Sequence, residues 1–247
     1  MSDAVKLTIG HIMPELLNLY GDSGNILSLK NRLIWRGMEA EIVEINDESD
    51  IRLSDIDILI LGGGSDREQK TVCETLGKKR AEIAGYVEDN GVLAAFCGGF
   101  HMLGNYWETA DEKVAGLGIL DINTNRGKSR LTGNVIIETE FGGEKNKVVG
   151  FENHIGTVAI GDLEPFGDVL AGKGNNGVDS TEGVLYNNLL ATNLFGPLLP
   201  KNPKVADELI KRAIMRKYGR NMELSPLDDT FENEAHDYIV KRFLTNK

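Results

Sequence analysis

Only two cysteines occur in the 247 residues, Cys73 and Cys97. Two thiols cannot build a disulfide framework or a four-cysteine zinc site, and a reducing cytoplasm is the compartment they suggest. Positive charge is also in short supply: 27 Lys and Arg against 38 Asp and Glu leave a net charge of −11. Nucleic acids and anionic membranes both demand a basic footprint, so neither is expected as a direct partner. The basic cluster "GKKR" at 77–80 is too short to supply one and reads as a solvated helix face. Long hydrophobic runs are missing as well. "IDILIL" and "VLAAF" are far too short to span a bilayer, and "MSDAVKLTIG" enters a strand with no basic, apolar signal segment before it. Histidine numbers four, which narrows the search for a proton-transfer group.

What the chain does have is regular alternation in its first half. "KLTIGHI" reads as a strand, "NILSLKNRLIWRG" as an amphipathic helix stopped by Gly37, "AEIVEI" as a second strand and "IDILIL" as a third. The spacing predicts a long helix over 68–90 ending at Gly91, then the strand "VLAAF", Cys97 and another helix. Apolar strands separated by helices imply an α/β fold with a mostly parallel sheet covered on both faces. In such sheets ligands gather at the carboxyl ends of the strands. From 116 to about 186 the sequence is rich in Gly, Asn and Thr, with strand-like pieces such as "NVIIETE" and "KVVGFEN". These are expected as antiparallel strands and long loops added to the same sheet. "PKNPKVADELIKRAIMRKYG" predicts a helix capped by Asn202, with Pro203 in its first turn and Gly219 at its end. A last helix covers about 230–245. No repeat or low-complexity stretch interrupts the chain, and a single domain over 1–247 is expected.

Cys97 stands where a strand ends and a helix begins, in "FCGGFHMLG". The positive end of a helix favours a thiolate, Gly98 and Gly99 permit a strained turn, and their amides are available to hold an oxyanion. Cys97 is therefore the candidate nucleophile, expected to have the lower thiol pKa. A lone cysteine is more often a buried filler, and that is the reading for Cys73 in "KTVCETL". The triple glycine 62–64 in "GGGSDREQ" lacks the Gly-Lys-Ser/Thr of a phosphate loop and the spaced glycines of a dinucleotide fingerprint. Placed across from Cys97, Gly63 and Gly64 would offer further N–H groups to the oxyanion; a tight turn is the plainer alternative. A thiolate attacking an amide also needs an acid–base group, usually histidine. His11 closes the first strand as a core residue, and His236 lies on a solvated last helix. His101 follows Cys97 by four residues on one helix face, and His154 ends a strand in "GFENHIG". These two are the candidates, although each residue type at such a place is more often structural.

The segments "NLYGDSGNILSL", "LGGGSDREQ", "FCGGFHMLG", "GLGILD", "SRLTGN", "GFENHIG", "GKGNN" and "FGPLLPKNP" resemble, in this order, the GatD family. Its members are subunits of lipid II isoglutaminyl synthase within the cobyric-acid-synthase-like class I glutamine amidotransferases. The likeness spans about 7–218. It implies a flavodoxin-like fold of the class I glutamine amidotransferase type, with Cys97 as the nucleophile that hydrolyses glutamine. It implies that Arg130, in "SRLTGN", holds the glutamine carboxylate, a task suited to a guanidinium fork. It implies a heterodimer with a MurT-type ligase that carries the ATP and the metal, so neither a cofactor nor a metal is expected in this chain. Lipid II would be reached through that partner, and the released ammonia would amidate the D-glutamate of its stem peptide. Three positions depart from the family pattern. The implied second catalytic residue is a histidine in "LHGP", where this chain reads "LFGP" and has Phe195. A glutamine in the "CGGF" helix is His101, and "FENHxGRT" is "FENHIGTV". Phenylalanine moves no proton. Two readings follow: an active subunit in which His101 or His154 takes over, or a pseudo-amidotransferase that stabilises or regulates the ligase.

Overall fold

Burial on both faces sets the layers. The computed structural model describes residues 5–46 and 52–245. Within it β1 (Lys6–Ile12), β2 (Glu39–Ile45), β3 (Ile58–Leu61) and β4 (Val92–Phe96) pair in parallel, in the order β4-β3-β1-β2. Every residue of β3 and β4 is buried, as the apolar runs predict. Successive side chains point to opposite faces. Ile58 and Ile60 therefore pack with Leu29 and Leu33 of α1 (Ser23–Ile34). Leu59 and Leu61 pack with Val72 and Leu76 of α2 (Asp66–Gly77) and with Ile83 and Val87 of α3 (Arg80–Glu88).

The helix predicted over 68–90 is thus two helices. α2 starts early because Ser65 and Glu68 form a reciprocal cap: the Ser65 N–H donates to Glu68 Oε2 at 2.8 Å, and the Glu68 N–H to Ser65 Oγ at 3.4 Å. It stops at Gly77, and Lys79 leaves helical geometry (φ −104°, ψ 11°) before α3 begins. A glycine costs a helix roughly 1 kcal/mol relative to alanine, a penalty that hydrophobic periodicity does not register.

After α4 (Gly98–Leu103) the chain leaves the first sheet. β5 (Tyr106–Glu108), β6 (Lys113–Ala115), β7 (Asn123–Thr139), β8 (Asn146–Ala159), β9 (Gly167–Ala171) and β10 (Thr181–Glu182) form a second sheet, not additions to the first. β7 and β8 make one long antiparallel hairpin, while β5 and β9 also pair with β7. Only β11 (Val184–Tyr186) and β12 (Leu189–Thr192) return; β12 runs parallel to β4 and β11 closes the edge antiparallel. The second sheet is welded to the first by apolar side chains. Val135, Ile137 and Val148 join Leu7 and Ile9 in one cluster, and Trp107, Ile122 and Val158 join Leu61 and Ala95 in the other.

α5 (Pro203–Tyr218) has Pro203 in its first turn and ends on Gly219 in the left-handed region (φ 63°), as predicted. Asn202 does not cap it. Its Oδ1 accepts from the Val149 N–H at 2.9 Å, and its Nδ2 donates to the carbonyls of Val149 and Leu198, each at 2.8 Å. The side chain staples α5 to the hairpin instead. The final helix, α6 (Thr230–Val240), continues as a π-helical turn over Lys241–Thr245. His236 is not free in solvent, since its Nε2–H donates to the Lys147 carbonyl at 3.0 Å. Among the described residues no helix is long and apolar enough to cross a membrane.

Candidate functional site

Cys97 follows β4 at φ 51°, ψ −111°, a conformation that costs a non-glycine residue and persists only where its surroundings enforce it. Its N–H donates to the Thr192 carbonyl at 2.8 Å, tying the turn to β12. Glycines make the turn possible by their lack of bulk. A Cβ on Gly99 would collide with the carbonyl oxygen of Leu61 and lie 2.9 Å from that of Gly62; one on Gly63 would lie 3.3 Å from the Cys97 Cβ. The two glycine-rich loops at the ends of β3 and β4 do face each other.

Electrostatics at this elbow run against the sequence expectation. Burial pushes the Cys97 thiol up to about 12. The Asp22 and Glu182 carboxyls push the same way, while the Gly98 N–H and Arg130 oppose them with less effect. Cys73, buried on α2 with its Sγ–H donating to the Ala115 carbonyl, is likewise pushed up by burial, to about 11, so the elbow does not give Cys97 the expected depression. A helix of six residues cannot outweigh desolvation on this scale. Asp22 itself is raised to about 6 by burial, against hydrogen bonds from the Gly63 N–H (3.0 Å) and Asn25 Nδ2 (3.4 Å). The Gly63 amide is therefore already committed, and of Gly63 and Gly64 only Gly64 reaches the cavity beside Cys97.

That cavity has a volume of about 220 Å³ and brings together Cys97, His101, Arg130 and His154. Tyr20, Gln69, Trp107 and Thr124 also line it; Tyr20 and Gln69 fall within the segments "NLYGDSGNILSL" and "LGGGSDREQ", whereas Trp107 and Thr124 lie in no motif. Among the described residues five buried side-chain polar atoms have no hydrogen-bond partner. Four belong to this wall: Gln69 Oε1, Trp107 Nε1, Thr124 Oγ1 and His154 Nε2. Each such atom costs about 1–3 kcal/mol when left unpaired, so their concentration around one cavity marks a ligand site. The fifth is His11 Nε2; that ring is buried but not satisfied, and burial lowers its pKa to about 4. Arg130 sits by a bulge in β7 and is exposed. Its Nη1 donates to the carbonyl and Oδ1 of Asn153, each at 3.2 Å, which leaves the rest of the guanidinium fork available. Among the described residues no group of three or more His, Cys, Asp or Glu could hold a metal ion.

The sequence profile of the CobB/CobQ-like glutamine amidotransferase domain matches residues 8–203. The chain belongs to this family. It is 40% identical over 238 residues to the lipid II isoglutaminyl synthase (glutamine-hydrolyzing) subunit GatD of Staphylococcus aureus, covering 96% of each chain. The Streptococcus pneumoniae subunit of the same name is 36% identical over 239 residues, 94% of this chain and 90% of that one. In fold the chain is similar to PurLQS of Thermotoga maritima, with a TM-score of 0.57 at 16% identity, covering 87% of this chain and 100% of the other. The expected class I glutamine amidotransferase fold holds.

In this amidotransferase Phe195 is not on the cavity wall. Its backbone pairs with Phe151 (Phe195 N–H to the Phe151 carbonyl, 3.1 Å), and its ring stacks on Tyr20 at 4.2 Å between centroids. Tyr20 is the ring that reaches the cavity, and Phe195 backs it. Two imidazoles remain beside Cys97, 6.3 Å apart between centroids. His154 Nδ1–H donates to the Gly156 carbonyl at 2.7 Å, and its Nε2 lies 3.5 Å from Glu152 Oε2. His101 is lowered to about 4, first by burial and then by the neighbouring His154. Burial disfavours the charged form of both groups, so the resting pair is thiol and neutral imidazole.

Proposed function

We propose that this amidotransferase is the glutamine-hydrolysing subunit of a lipid II isoglutaminyl synthase. It takes ammonia from glutamine at Cys97 and delivers it to a MurT-type ligase, which amidates the D-glutamate carboxyl of the lipid II stem peptide. ATP and the metal lie with that ligase, and the reaction belongs in the cytoplasm. One observation carries the reading: a strained cysteine elbow opening on a cavity walled by unpartnered polar atoms. Glutamine suits that wall. Its carboxylate takes the free edge of Arg130, and its remaining polar groups meet donors and acceptors that otherwise have none.

The chemistry follows from the same atoms. Sγ attacks the carboxamide carbon while its proton passes to His101, or alternatively to His154, because a thiolate is too costly to form beforehand. The oxyanion is held by the N–H groups of Gly98 and Gly64. The imidazole returns the proton to the leaving nitrogen, ammonia departs, and water cleaves the thioester to release glutamate. A second reading is favoured by the buried thiol and by the aromatic stack at Phe195: a pseudo-amidotransferase that supports the ligase without turnover. The test is ligase amidation by the purified complex, supplied with glutamine or with ammonium chloride. The wild type should use both, and Cys97→Ala only ammonium. A wild-type complex that uses ammonium alone selects the second reading.

A further inference from the structure

Behind the cavity three buried side chains form a line from Glu182 on β10, through Asn193 just past β12, to His101 on α4. Glu182 Oε1 accepts from Thr192 Oγ1–H and from the Asn193 N–H, each at 2.7 Å, and its Oε2 accepts from Asn193 Nδ2 at 3.4 Å. Glu182 and Asn193 have no exposed surface, and His101 retains 8%. Groups this deep are kept only where their hydrogen bonds are met.

The orientation of the Asn193 amide can be worked out from the backbone outward. The Gly183 N–H donates to Asn175 Oδ1 at 2.9 Å, and Asn175 Nδ2 donates to the Gly183 carbonyl at 3.2 Å, so the ends of Asn175 are fixed. Asn175 Oδ1 then accepts from Asn193 Nδ2 at 3.3 Å, on the same side as the Glu182 carboxylate. Asn193 Oδ1 must be the end that faces His101 Nε2, 3.0 Å away. An amide oxygen only accepts, so Nε2 carries the proton and Nδ1 keeps the lone pair. That nitrogen faces β8: a Cβ on Gly156 would lie 3.8 Å from it, and Gly156 and Thr124 line the cavity with Cys97.

We propose that Asn193, itself held by Glu182 and Asn175, is a positioning residue that keeps His101 in the Nε2–H tautomer, with Nδ1 free to take the Cys97 proton. The assignment rests on the reading of Cys97 as a glutamine nucleophile. It gives the proton-transfer role a place one helical turn beyond Cys97, in a chain whose residue 195 is a phenylalanine that moves no proton. The proton moves from Sγ to Nδ1, directly or through one water, and then to the leaving nitrogen. Neither Asn193 nor Glu182 touches substrate.

Long-range proton–nitrogen spectra of the full chain labelled with ¹⁵N-histidine report each imidazole tautomer, and the His101→Gln spectrum identifies the His101 signals. The wild type should show His101 protonated at Nε2 and bare at Nδ1. Asn193→Ala, and the milder Glu182→Gln, should turn this into a mixture of tautomers. In the complex with the ligase, Asn193→Ala should lower kcat for glutamine at least about tenfold and leave KM within about threefold. A wild-type His101 protonated at Nδ1 overturns the proposal whatever the variants do, and so does a tautomer unchanged in both. An Nε2–H tautomer lost in the variants, in a complex without glutaminase activity, supports the positioning and removes the catalytic reading instead. Glutaminase activity alongside an Nδ1–H tautomer does the reverse.

Discussion

On one side of the cavity Cys97 and the glycines at 62–64 and 98–99 are held by backbone against backbone. On the other side the hairpin β7–β8 presents side chains, and the segment 192–196 backs the wall without reaching the cavity. The first side has no slack: the Gly99 Cα rests against the Leu61 and Gly62 carbonyls, and Gly63 against Cys97 itself. The second side is a set of exchangeable groups. There the Tyr20–Phe195 stack fills one region and the Glu182–Asn193–His101 line fills another, on one unbroken scaffold. Nucleophile geometry is thus a property of the chain path, where any added atom collides. Proton transfer is a property of side chains, which substitution can move without unfolding the protein.

Four substitutions press on that contrast. The largest effect should come from Gly99→Ala, whose methyl meets a carbonyl that cannot step aside; a loss of more than about 4 kcal/mol in urea unfolding is expected. A near-neutral result would mean the elbow has slack after all. Next comes His101→Gln, read through acid stability. Burial holds the folded-state pKa of His101 near 4, below the 6.5 of an unfolded imidazole. Between those values the unfolded chain binds the extra proton, so this contribution to stability is present above pH 6.5 and is lost as pH falls toward 4. The variant should be spared about 3 kcal/mol of that loss. Asp22, raised to about 6, has the opposite sign but is common to both proteins, so the difference isolates His101. Equal losses between pH 7 and 4.5 would sink the claim.

Arg130→Lys should raise KM for glutamine in the complex about 10- to 100-fold, since an ammonium cannot reproduce the planar fork. A KM within twofold of wild type removes Arg130 from substrate binding. The smallest effect is expected from Phe195→His. The new imidazole would sit against Tyr20, behind the cavity wall, and turnover should change by less than about tenfold. A hundredfold gain would show instead that position 195 still commands the thiol and that His101 does not.

Much of this protein is legible in its residues alone. β1, β4, the Gly219 stop and the Cys97 turn follow from periods of 2.0 and 3.6 residues and from where glycine tolerates a conformation that others do not. Those are local rules, and they hold wherever the chain is folded. Arg130, which the resemblance points to, and His154, a candidate from its residue type, come from opposite strands of the hairpin to the cavity holding Cys97. The second sheet, the position of Phe195 behind Tyr20 and the Trp107 and Thr124 wall have no local signature. The sign of the Cys97 shift was also decided in three dimensions. A sequence displays the helix that follows a cysteine but not how deeply both are buried or which carboxyls lie beside them. Likewise Asn193 and Glu182 are ordinary residues of a Gly- and Asn-rich stretch until β10 and β12 set them side by side beneath His101. Local propensity determined the strands, the helices and the elbow. Desolvation and hydrogen bonding between distant segments decided which atom of the site holds a proton.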